Sequence, residues 1–127
     1  MEWNLVKIDS QDGKNAPFVS IGRGKLEFSA KACKLLEDAT GRNFLEYKYA
    51  QIYTGTEKGK VAIAVKFLTE YKEDSLEVTH KVAKGSTITS MIIQSKGTIQ
   101  RVFGAINAND TMIRRNVEFV GEDMLRI

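Results

Sequence analysis

In 127 residues the chain has one cysteine, one proline, one histidine and one tryptophan. A single thiol, Cys33, cannot form an intramolecular disulfide, so the fold has to rest on its core. That fits a reducing compartment. One His and one Cys fall short of the several ligands a transition-metal site needs. The acidic stretches "EDSLE" and "NAND" lack the spacing of a calcium loop. No metal or other cofactor is therefore expected. No apolar run approaches the ~20 residues that cross a bilayer. The opening "MEWNLVKIDSQDGK" is polar where a signal peptide is apolar. The sequence thus reads as cytoplasmic, with no membrane partner.

Charge of one sign is also in short supply. Nineteen Lys and Arg face 16 Asp and Glu, for a net charge of +3. An anionic partner is permitted but not demanded. The basic residues are spread along the chain, with the closest groupings at Lys31/Lys34 with Arg42, Lys81/Lys84, and Arg101 with Arg114/Arg115. Length and 43% hydrophobic content fit a single domain over residues 1–127.

The patterns that are present are mostly those of strands. "WNLVKI" reads as a first strand, followed by a polar turn that Pro17 closes. "FVSI" and "KLEF" flank Gly22-Arg23-Gly24 and read as a hairpin, with Leu26 and Phe28 on one face and Lys25 and Glu27 on the other. Ser29 is placed to cap a helix over "AKACKLLEDA", whose apolar face is Ala32, Leu35, Leu36 and Ala39, ended by Thr40-Gly41. "FLEYKYAQIY" reads as a strand with Leu45, Tyr47, Tyr49, Gln51 and Tyr53 on one face, and "VAIAVKFL" as a central strand. "LEVTHKV" and "TITSMIIQ" are further strands. "KGTIQRVFGAI" carries Ile99, Val102, Phe103 and Ile106 at helical spacing, and "RRNVEFV" and "MLRI" form a last hairpin around Gly121-Glu122-Asp123.

The expected fold is α+β, a mainly antiparallel β barrel or half-barrel with two short helices. The order of elements also suggests two pseudo-repeated β-α-β-β halves.

Little in this list is catalytic. A dinucleotide fingerprint would need a third glycine where Glu27 stands, and a helix where a strand follows. Cys33 lies at the edge of an apolar helix face and His80 continues an inward strand stripe, which are core positions rather than a nucleophile and its base. No catalytic residue is assigned, and the chain is read as a non-enzyme. Tyr47 and Tyr49, on one strand face with lysines nearby, suit bases stacking on rings while cations hold phosphates.

From Val19 to about Val65 the order is strand, Gly-Arg, alternating strand, capped helix, hairpin. "IGRGKLEFSAKACKLL" resembles the opening of the AbrB-like DNA-binding domains of transition-state regulators and antitoxins. Two departures stand out: Gly24-Lys25 lengthens the turn, and Ser29 stands where the family commonly has proline. The resemblance implies DNA binding through the hairpin face, with Arg23 at the motif position. Dimerisation completes the barrel in that family, whereas here one chain has enough strands for both halves. Lys25, Arg114 and Arg115 join Arg23 on grounds of charge and expected exposure.

The functional expectation is a small nucleic-acid-binding protein, most simply DNA-binding, of a style common among phage and mobile-element products. The alternative is a non-enzymatic interaction or structural subunit that assembles with itself or a protein partner through an apolar strand edge, with apolar "TSMIIQ" or an exposed strand edge covered by that partner or by a second copy.

Overall fold

The computed structural model describes residues 2–5, 16–83, 87–103 and 113–127. Among the described residues nine strands run in chain order: β1 (Phe18–Gly22), β2 (Lys25–Ser29), β3 (Tyr49–Glu57), β4 (Lys60–Leu68), β5 (Leu76–Ala83), β6 (Thr87–Gln94), β7 (Ile113–Asn116), β8 (Glu118–Phe119) and β9 (Met124–Arg126). Helix α1 (Ala30–Thr40) follows β2, and helix α2 (Lys96–Phe103) follows β6. Neither is long and apolar enough to cross a membrane.

The strands pair antiparallel in the order β7-β1-β2-β6-β5-β3-β4-β9-β8 and make one nearly closed barrel. Closure follows from the chain itself. The two edge strands, β7 and β8, are separated only by Val117, whose N–H donates to the Pro17 carbonyl at 3.1 Å. "RRNVEFV" is thus divided: its first half adds to β1, and its second half makes the hairpin with β9 around Gly121-Glu122-Asp123. The order hairpin, helix, strand occurs twice, as β1-β2-α1-β3 and β5-β6-α2-β7. The two hairpins meet at β2–β6, and each third strand pairs with the other half's hairpin, β3 with β5 and β7 with β1. The echo ends there, because β3 continues into a hairpin with β4 and β7 does not.

Local chemistry explains the helix boundaries. The Ser29 hydroxyl accepts the Ala32 N–H at 3.1 Å, capping α1, and also the Phe18 N–H at 3.1 Å, tying the cap to β1. Gly41 ends the helix in the left-handed region at φ 74°, its N–H on the Glu37 carbonyl. Ala32, Cys33 and Leu36 enter the core, whereas Ala39 is exposed. In α2, Ile99 and Phe103 are buried as the spacing requires, and Ile106 lies outside the described residues.

Three sequence expectations are corrected. Residues 3–5 of "WNLVKI" form no strand, and Trp3 and Leu5 are exposed; the rest of that stretch, residues 6–8, lies outside the described residues. "FLEYKYAQIY" is not one strand. Asn43 and Glu46 form a capping box that winds Phe44–Glu46 into a 3₁₀ turn, so β3 begins only at Tyr49. "TSMIIQ" is not left for a partner to cover: β6 lies between β2 and β5, and Met91, Ile92 and Ile93 are already buried within the chain. The edges of the sheet are instead the short, charged β7 and β8. On β5 the inward stripe runs through Val78 and His80 and ends before Val82, which a register shift after Lys81 leaves exposed.

The core fills the barrel. Phe28 meets Phe67 edge-on at 5.2 Å between ring centroids, and Tyr47 meets Phe67 at 6.0 Å.

Candidate nucleic-acid interface

The β1–β2 turn is tighter than the three-residue loop expected from the sequence. Gly22 pairs with Lys25, leaving Arg23 and Gly24 as a two-residue turn with φ of 53° and 73°. Positive φ at both positions is the type I′ geometry, whose twist matches that of the flanking strands. Arg23 pays the small strain of that conformation and is exposed at the tip.

The turn does not project freely. A Cβ on Gly24 would lie 2.8 Å from the Lys96 Cα, and the Gly24 carbonyl accepts the Ser95 N–H at 3.0 Å. The start of α2 is therefore packed on the hairpin tip. Arg23 and Lys25 flank Gly24 in sequence and Lys96 adjoins it in space, so three cations share one corner of the barrel. Lys96 could not be found from periodicity, because its partner is 72 positions away in sequence (96 minus 24) and no pattern joins them.

Arg114 extends this region. It stands opposite Ser20 on the outer face of the sheet, the face that also carries Lys25, with its guanidinium over the Phe18 ring at 4.5 Å. Strands β7, β1, β2 and β6 contain one carboxylate, Glu27, which contacts Lys81 at 3.4 Å. Other carboxylates gather elsewhere: Glu70, Glu73 and Asp74 between β4 and β5, and Glu118, Glu122 and Asp123 around the β8–β9 hairpin. A net charge that is mild and scattered in sequence is thus partly sorted in space.

The remaining expected site residues are not part of this region. Arg115 follows Arg114 on a strand, so it leaves on the opposite face, beside Val19 rather than Ser20. Tyr47 is corrected outright. It is 0% exposed, with its hydroxyl donating to Asp123 Oδ1 at 3.2 Å, and no base can stack on it. The capping box is the physical reason, since it moves Tyr47 out of β3 and turns its ring inward. Tyr49 is half-buried and packs edge-on against Tyr71 at 5.6 Å, on β3, several strands from Arg114.

Cys33 and His80 each have structural partners. The thiol is buried against the Phe28 carbonyl, and burial, with Glu37 nearby, pushes it up from its ordinary 9.0 to about 12. His80 Nε2 lies 2.7 Å from the Tyr47 carbonyl, which can only accept, so that nitrogen carries the proton. The ring meets Phe44 edge-on at 5.3 Å.

The raised thiol has a consequence for stability. Below pH 9 it is neutral in folded and unfolded chains alike. From there to about pH 12 the unfolded chain loses the proton while the folded chain keeps it. Stability should fall over this window by about 1.4 kcal/mol per pH unit. Comparing urea unfolding at pH 8 and pH 10, the wild type is expected to lose about 1.4 kcal/mol more than Cys33→Ala. Equal losses would contradict this. Tyr47, also raised by burial, is common to both proteins and cancels.

No protein-family model, curated protein or solved structure matches the chain.

Proposed function

We propose that the protein binds nucleic acid, with DNA the favoured form, by gripping phosphates at the corner formed by Arg23, Lys25 and Lys96 and along the sheet face that carries Arg114. The observation behind this reading is the packing of Gly24 on Lys96, which gathers cations from two distant segments around a rigid turn. Arg and Lys on a preformed surface fix the register of a nucleic acid through its backbone, with no sequence readout required. The AbrB-like order of residues 19–65, with its Gly-Arg turn, leans the same way.

Fluorescence anisotropy with a labelled duplex and a labelled single strand tests the reading. Removing Arg23, Lys25 and Lys96 together as alanines is expected to weaken binding to all sequences alike and to lower the salt slope by about 1 per residue removed. Lys66→Ala, on β4, should leave binding unchanged. Equal binding by the triple variant and the wild type would refute the assignment, provided circular dichroism shows both folded.

Interaction with a protein partner keeps one supporting observation. The β3–β4 hairpin runs out beyond its pairing with β9, which stops at Ala64, and Val61 near its end is 74% exposed.

A further inference from the structure

A cavity of about 440 Å³ lies on the outer sheet face where α1 begins, lined by Phe18, Glu27, Ser29, Ala30, Lys31, Lys81 and Ser90. The geometry points to a binding site for a phosphate group in this cavity, held by the Ser90 hydroxyl, Lys31 and the first-turn amides of α1.

Ser90 is the telling residue. It stands on β6 directly opposite Ser29 on β2 and beside Lys81 on β5, and is only 5% exposed. Its hydroxyl has no hydrogen-bond partner among the described residues. A buried hydroxyl without a partner costs stability, so its presence in the wall of a cavity is explained by a ligand that accepts from it.

What surrounds Ser90 selects an anion. The amides of Ala30 and Lys31 belong to the first turn, which a helix leaves without intrahelical acceptors, and the helix dipole adds positive potential there. Ser29 already accepts the Phe18 and Ala32 amides through its oxygen, which leaves its own proton to donate. Lys31 supplies the formal charge. Glu27 opposes it, but its carboxylate is partly engaged by Lys81, and Arg114 over Phe18 restores the balance at the rim. A compact, multiply accepting anion fits this donor set, and a phosphate does so whether free or carried on a nucleic-acid backbone. The site does not depend on the nucleic-acid reading above, since it asks only for a phosphate.

The test is a titration of the intact protein with sodium phosphate against sodium chloride at equal ionic strength. It is followed by thermal unfolding and by the amide NMR signals of Ala30, Lys31 and Ser90. A second titration uses a short oligonucleotide. For the wild type, phosphate at about ten times its Kd should raise Tm by about 3–6 °C. Ser90→Ala should unfold at or above the wild-type temperature without ligand, since it deletes a hydroxyl with no partner among the described residues, yet bind phosphate about tenfold more weakly. Lys31→Gln, an exposed and well-tolerated change, should also weaken binding. A Ser90-dependent response to inorganic phosphate identifies free phosphate as a ligand. A Ser90-dependent response to the oligonucleotide alone identifies the backbone phosphate as the source. Phosphate effects equal in wild type and Ser90→Ala, as a general salt effect would give, overturn the proposal, and so does the absence of any response.

Discussion

Replacing Tyr47 with alanine is expected to destabilise the protein by about 3–5 kcal/mol, the usual cost of deleting a buried aromatic ring. The ring is fully buried against Phe67, and its removal leaves a void beneath β4. The backbone is committed as well, since the Tyr47 carbonyl accepts from His80 Nε2 and its N–H donates to the Phe44 carbonyl. Tyr47→Phe keeps the ring and loses the hydroxyl's bond to Asp123, at a cost of about 1 kcal/mol. Urea unfolding of the two variants separates these roles. A loss below about 1 kcal/mol for Tyr47→Ala would place the ring outside the core. In nucleic-acid binding Tyr47→Phe should behave as the wild type, because the side chain faces away from any ligand.

The second large effect belongs to Gly24, and the protein contains its own control. Gly24 and Gly59 both end two-residue hairpin turns, at φ 73° and 76°, after Arg23 at 53° and Lys58 at 51°. The backbone strain of an alanine is therefore nearly the same at both, about 1–2 kcal/mol. The surroundings differ. A Cβ at Gly59 meets nothing within 4 Å, while at Gly24 it lies 2.8 Å from the Lys96 Cα, a backbone atom that cannot swing aside. Gly24→Ala is expected to cost about 2–3 kcal/mol more than Gly59→Ala, because α2 must shift to admit the methyl group. It should also weaken nucleic-acid binding, since Lys96 moves away from Arg23 and Lys25; Gly59→Ala should not. Equal destabilisation by the two variants would mean that the hairpin tip and α2 are not in contact.

How legible was this in the sequence? Alternation marked β2, β4, β5 and β6, because strands with one face in a core repeat every two residues. The cap at Ser29 and the stop at Gly41 are local chemistry, and both appear where expected. The barrel class follows from many short strands and two short helices. The failures have a common cause. At 44–47 the tyrosine alternation points to a strand, whereas Asn43 and Glu46 cap a 3₁₀ turn there, which takes Tyr47 out of the candidate site. Arg115 qualifies beside Arg114 on charge and expected exposure, but neighbours on a strand leave on opposite faces, which neither criterion detects. Lys96 and Ser90 were missed for a different reason. Each matters through a partner on another strand or helix, Gly24 for one and Ser29 and Lys81 for the other, and such pairings exist only once the barrel is assembled.

The salt dependence of nucleic-acid binding tests the central claim most directly. Arg23, Lys25, Lys96 and Arg114, each neutralising one phosphate, predict a log–log slope of about −3.6 for a duplex and about −2.8 for a single strand. Between 50 and 200 mM salt, duplex affinity should fall by a factor on the order of 100. A slope near zero, or no binding at the lower salt, would contradict the account.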